Sequence, residues 1–250
     1  MKYFPDQSLE QLYHFNSCAV VSSSHALIQH RYGPEIDRHD CVLRFNCAPT
    51  KHFEQHVGSR TDMRLINTKI PNRYCKKEFL NDSIEMYNHE IVVVRHNNAY
   101  RIIDQKLDTS GDRYKSLPKY ISYIKTHGNR QLFIQYHVFG PALTRDMKDF
   151  CRDNGKCGEK DNLGSPSTGV FGVLMMTRLC NWVYVYEMVP SDVEPVKYLY
   201  YYDEEKTFNV TTYFHPFTAE HLYLTHLSET SSDDVRKTGV LLFRGANCTA

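Results

Sequence analysis

Residues 213–220 read YFHPFTAE, which sets an imidazole, His215, five positions ahead of a carboxylate, Glu220. An unperturbed imidazole titrates near pH 6.5, so at neutral pH it can take a proton from a weak nucleophile such as an alcohol. Pro216 suits the first position of a helix, which would put His215 at the cap, where the helix dipole disfavours imidazolium. By residue type alone His215, one of 13 histidines, is either packing or a base. Three further stretches carry polar groups where an anion would meet them: VVSSSHA with Ser23, the pair RFN and LIN ending in Asn46 and Asn67, and GSPSTGV with Ser167, Thr168 and Gly169. Hydroxyls and backbone N–H groups at the start of an apolar helix suit phosphate or carboxylate. Each also has a local role, as N-cap or strand end, so their force lies in occurring together. GSPSTG lacks the G-x-S-x-G spacing of a nucleophile elbow, which sets a serine hydrolase aside. No D-x-D triplet occurs, which argues against a diphosphate clamped by a divalent metal.

These groups need a scaffold. The runs at 17–23, 41–46, 62–67, 90–96, 131–137, 182–188 and 239–245 are short, apolar and rich in Val, Ile, Leu, Phe and Tyr, and predict strands. Helical spacing falls between them, at 76–88, 114–127, 142–151, 168–179 and 216–228. Strand and helix alternate, so the expected class is α/β with a mainly parallel sheet flanked by helices, and ligands are expected at the carboxyl ends of its strands. The polar stretch 151–169 is the one long loop expected. At 250 residues the chain fits one domain, 1–250. A net charge of +1 gives no electrostatic case for a nucleic-acid partner. No run reaches the roughly 18 apolar residues of a membrane span, and the first residues lack the apolar core of a signal peptide.

Eight cysteines stand at 18, 41, 47, 75, 151, 157, 180 and 248, without the paired knuckles of a structural zinc site. They fit one or two disulfides in a secretory compartment, or buried thiols. Sequons begin at Asn81, Asn209 and Asn247.

Taken together, the segments resemble four motifs of the eukaryotic sialyltransferases. Residues 18–67, with the core EIDRHDCVLRFNCAPT and the following VGSRT, resemble the large sialyl motif; SPSTGVFGVLMMTRLCNWVYVYE (165–187) resembles the small one. YLYYYDEE (198–205) matches the tyrosine-rich third motif, and HPFTAE (215–220) the very small motif H-x4-E. LRFN, RLIN, VYEMVPS and HPFTAE are most similar to β-galactoside α2,6-sialyltransferases, whereas YGPEID and PSTG also occur in α2,3 members.

The resemblance implies a Rossmann-like, variant GT-A fold and metal-independent transfer, with inversion, of sialic acid from CMP-sialic acid to a terminal galactose, with α2,6 linkage the leading expectation. It implies His215 as general base and no cofactor. Ser23, Asn46 and Asn67 would hold CMP; Ser167, Thr168 and Gly169 would meet the donor carboxylate; and Tyr200 or Tyr201, or their neighbour Tyr202, would reach the phosphate. Glu220 shares the motif with an orienting or a direct role, and Cys18 and Cys180 match the cysteines that join the large and small motifs. On the acceptor side Phe214 replaces a tyrosine and Lys69 a glutamine, which leaves open an α2,3 linkage or an N-acetylgalactosamine acceptor. Relatives carry an N-terminal Golgi anchor and stem. None is visible here, so a catalytic core in the Golgi lumen, or a secreted form, is expected. A CMP- or sialoglycan-binding module without turnover is the alternative from another class.

Overall fold

All seven apolar runs enter one sheet of a computed structural model, which describes residues 7–67, 70, 75, 86–87, 89–95, 102–103, 106–107, 132–135, 139–155, 165–207 and 215–246. In chain order come α1 (Leu9–Leu12), β1 (Phe15–Val21), a 3-10 helix (His25–Gln29), α2 (Gly33–Ile36), β2 (Cys41–Phe45), α3 (Glu54–Val57), β3 (Met63–Asn67) and β4 (Ile91–Arg95). Next are the short strands β5 (Ile102–Ile103) and β6 (Lys106–Leu107), then β7 (Leu132–Gln135), α4 (Phe139–Asn154), α5 (Thr168–Leu179) and β8 (Cys180–Tyr186). The chain continues through the hairpin β9 (Tyr198–Tyr200) and β10 (Asp203–Thr207), α6 (Phe217–Leu227), α7 (Ser232–Thr238) and β11 (Val240–Arg244).

The sheet order is β11-β8-β1-β2-β3-β4-β7, parallel throughout except for β11 against β8. From β1 the chain works outward through β2, β3, β4 and β7, then returns to lay β8 on the other side of β1. That reversal opens a crevice above the carboxyl ends of β1 and β8, where an open α/β sheet takes its ligand. Every residue of β2, and the last four of β1, are buried, because both faces of the sheet are covered. Strands covered on both faces read as continuous apolar runs, which is why they were legible. On one face Val170, Val173 and Met176 of α5 join Leu43, Leu65 and Val183; on the other Leu27, Ile36 and Tyr186 gather.

Helix α5 lies tightly on β2. A Cβ at Gly172 would stand 2.4 Å from the Phe45 ring, so only glycine allows the approach. Cys18 of β1 and Cys180 at the start of β8 are joined by a disulfide, with Cα atoms 6.1 Å apart, beside the reversal point. A second disulfide, Cys47–Cys75, anchors the loop after β2. Cys151 is also disulfide-bonded, whereas Cys41 is a buried thiol whose pKa burial pushes up to about 12.

The expected helices 142–151, 168–179 and 216–228 correspond to α4, α5 and α6. Helix α4 runs to Asn154, so the expected loop begins later than residue 151. Of the expected helix 76–88, Met86 and Tyr87 form a turn. The rest of it, helix 114–127, Cys157, Cys248, the three sequon asparagines, Lys69 and Phe214 lie outside the described residues. No helix among the described residues is long and apolar enough to cross a membrane.

Candidate active site

A cavity of about 200 Å3 opens at the carboxyl ends of β1, β2, β3 and β8. Its walls are Ser22, Ser23 and Ser24 after β1; Phe45 and Asn46 after β2; Asn67 closing β3; Ser167, Thr168 and Gly169 opening α5; and Met188 and Pro190 after β8. Tyr200 comes from the hairpin, and His215, Phe217, Glu220 and His221 from the segment opening α6. Stretches up to about 190 residues apart in the chain thus meet in one place.

The asparagines are linked. Asn46 adopts a left-handed conformation, φ 49°, which asparagine tolerates better than most residues. Its Oδ1 accepts from the Asn67 N–H at 3.1 Å, so the side-chain NH2 is its donor end. Buried Arg64 fixes the turn beneath by donating to the carbonyls of Asn46 and Ala48, while Glu90 grips its guanidinium at 2.5 and 2.8 Å.

Ser167 is the N-cap of α5, its Oγ accepting from the Val170 N–H. Its own N–H donates to Glu220 Oε1 at 2.6 Å. Glu220 is 2% exposed, and burial raises its pKa while Ser167 and the charge of Arg95 pull it back. Its carboxylate therefore braces the turn 165–168 from α6. Arg95 braces the same turn from the end of β4, donating to the Pro166 carbonyl at 2.6 Å, to Ser165 Oγ at 3.2 Å and to Thr168 Oγ1 at 3.3 Å.

His215 lies one residue before the N-cap, which is Pro216 rather than the histidine, so the expected cap position moves by one. His215 Nδ1 stands 2.8 Å from the Ser165 carbonyl oxygen. A carbonyl only accepts, so Nδ1 carries the hydrogen and, in the neutral ring, Nε2 is the basic nitrogen. That is the tautomer a base at the cavity wall requires.

The tyrosine cluster divides. Tyr200 lines the cavity and stacks on Tyr202, with centroids 5.3 Å apart. Tyr202 hydrogen-bonds to Ser23, and burial raises its pKa. Tyr201, expected as a donor contact, does not line the cavity: its ring is 3% exposed and its hydroxyl donates to the Pro49 carbonyl. Tyr201 lies in the turn after β9, where its ring packs edge-on against Phe53 and its hydroxyl is taken up by the loop after β2.

Several wall residues went unnamed in the sequence reading. His221 follows Glu220, and burial pushes its pKa down to about 4, so it stays neutral. Glu187 is fully buried in a left-handed conformation, φ 51°, accepts from the Ser191 N–H and hydroxyl at 2.8 Å each, and lies 3.0 Å from His30 Nε2. Burial raises Glu187 to about 7 and lowers His30, so each is shifted toward its uncharged form. Arg95 had one visible signal, a charge closing an apolar strand; His221 and the Glu187 cluster had none, since their partners are remote in sequence.

Among the described residues lining the cavity none is lysine or arginine. An anion there would meet hydroxyls, the Asn46 amide, imidazoles and the N–H groups opening α5. Nor does any group of three or more His, Cys, Asp or Glu suited to a metal occur among the described residues.

Comparison with known proteins gives the family. The model of glycosyltransferase family 29 (sialyltransferase) matches residues 2–232. The chain is 32% identical over 237 residues to human β-galactoside α-2,6-sialyltransferase 1, covering 93% of this chain and 55% of that protein. It is 30% identical over 252 residues to β-galactoside α-2,6-sialyltransferase 2 of Xenopus tropicalis, covering 98% and 46%. The chain thus spans about half the length of the curated relatives it matches. Its fold is similar to the crystal structure of a mammalian sialyltransferase, with TM-score 0.53 and 20% identity over 90% of this chain and 72% of that one.

Proposed function

This chain belongs to glycosyltransferase family 29, the sialyltransferases, and on that premise we propose that it transfers sialic acid from CMP-sialic acid, with inversion, to a terminal galactose through an α2,6 bond. The observation that carries the reading is the convergence of His215, Ser23, Asn46, Asn67, the 167–169 turn and Tyr200 on one cavity. The α2,6 linkage is drawn from the names of the relatives.

In this reading the acceptor hydroxyl gives its proton to His215 Nε2 as its oxygen bonds to the anomeric carbon and the bond to the CMP phosphate breaks. The leaving phosphate departs as an anion stabilised by hydrogen bonds, for which Tyr200 and the α5 amides are suited. No metal or cofactor is assigned, and residues 1–250 act as a single catalytic domain. Two disulfides among the described residues favour an oxidising compartment, the Golgi lumen or outside the cell.

The test is incubation with CMP-sialic acid and N-acetyllactosamine in excess EDTA, followed for released CMP and product linkage. An α2,6-sialylated product at undiminished rate is expected. CMP binding without turnover would leave the binding module standing. An α2,3 product, or transfer to N-acetylgalactosamine alone, would overturn the acceptor assignment.

A further inference from the structure

We propose that Arg95 is a positioning residue that sets the tautomer of His215 by clamping the turn 165–168. The proposal rests on the reading of His215 as base. Arg95 ends β4, in register with Asn67 of β3, so its Cα is fixed by the sheet beside the cavity. It is 4% exposed, and its guanidinium packs on the Phe171 ring of α5 at 3.9 Å. From there one planar group reaches three oxygens on the turn: the Pro166 carbonyl, Ser165 Oγ and Thr168 Oγ1. The peptide between Ser165 and Pro166 is thus held on both sides of the carbonyl that accepts from His215 Nδ1.

Two consequences follow from donor and acceptor roles. Arg95 has only donors, so Thr168 Oγ1 accepts from it and its hydrogen points away from the guanidinium. The Ser165 carbonyl, fixed in place, holds the Nδ1–H tautomer, whereas an unconstrained neutral imidazole prefers hydrogen on Nε2. Without the clamp, the ring would favour the tautomer whose Nε2 cannot accept a proton. Lysine keeps the charge but lacks the flat fork that both stacks on Phe171 and spans the turn.

The test compares wild type with Arg95→Lys and Arg95→Gln, the lysine variant guarding against loss of fold. Histidine-selective 15N NMR above pH 7, assigned with His215→Gln, should show Nδ1–H in the wild type and a shift toward Nε2–H in both variants. With CMP-sialic acid, kcat should fall about tenfold to a hundredfold, the scale expected for a misplaced general base. CMP affinity should stay within about threefold. Retention of the Nδ1–H tautomer in both variants overturns the proposal, whatever the activity; so does parallel loss of kcat and CMP binding, which marks a merely structural residue. If the wild type transfers no sialic acid, the proposed function fails while the tautomer measurement still decides the role of Arg95.

Discussion

A histidine serves as a base through the nitrogen that lacks hydrogen, so its backbone partner matters as much as its position. Here the Ser165 carbonyl decides it. His215→Gln should lower kcat by about a hundredfold to ten-thousandfold while CMP binding measured by calorimetry changes by less than about threefold. A variant that keeps full activity would remove the base assignment. Glu187 offers a second prediction at this scale. Its folded pKa, about 7, lies above the ordinary 4.5, so the folded state binds more protons in that interval. Stability from this group is therefore fully present below about pH 4.5 and is lost as pH rises to about 7, by no more than about 3 kcal/mol. His30, lowered by burial, acts oppositely near its own range, so the readout must isolate Glu187. Glu187→Gln removes the titration: the melting temperature of the variant minus that of the wild type should increase from pH 5 to pH 7.5. A constant difference would count against the assignment.

At the scale of elements, position follows from how strands end. Ser22–Ser24, Asn46, Asn67 and Glu187 all stand just past the apolar part of a strand, so the parallel sheet brings their polar groups to one rim. The β1–β8 neighbourhood is pinned by Cys18–Cys180 across 162 positions of sequence. In the chain-entropy account a loop of that length gives about 5 kcal/mol at most. The double variant Cys18→Ala/Cys180→Ala should lose several kcal/mol in chemical denaturation, and the wild type in reductant should approach it. An unchanged midpoint would show that packing alone holds β1 to β8. The long apolar strands and α5 were legible because burial on both faces removes polar interruptions. Helices α1, α2 and α3 were not, since each spans four residues and is held by neighbours rather than by propensity. Arg44 and Arg64, inside strands yet fully buried, were equally hidden: their partners, Arg60, Thr61, Asn46, Ala48 and Glu90, come from other loops.

The whole molecule is a sheet whose winding reverses between β1 and β8, and the cavity sits at that reversal. A ligand there touches both halves, so it should stabilise the fold as a unit. CMP at a hundredfold over its Kd should add about 2.7 kcal/mol and raise the melting temperature by roughly 5–10 °C in differential scanning fluorimetry. No shift at saturating CMP would dissociate the cavity from nucleotide binding. The sequence by itself determined the α/β class, the seven sheet strands, the family and the candidates His215, Asn46, Asn67 and the 167–169 turn, because apolar runs and motif spacing are local properties. Only the tertiary structure decided which tyrosine of the cluster lines the cavity, which nitrogen of His215 carries hydrogen, and how Arg95 and Glu220 brace one turn from two elements. Those outcomes depend on partners 50 to 152 positions away, and the pairing of a buried donor with an acceptor is settled by where the chain places them in space.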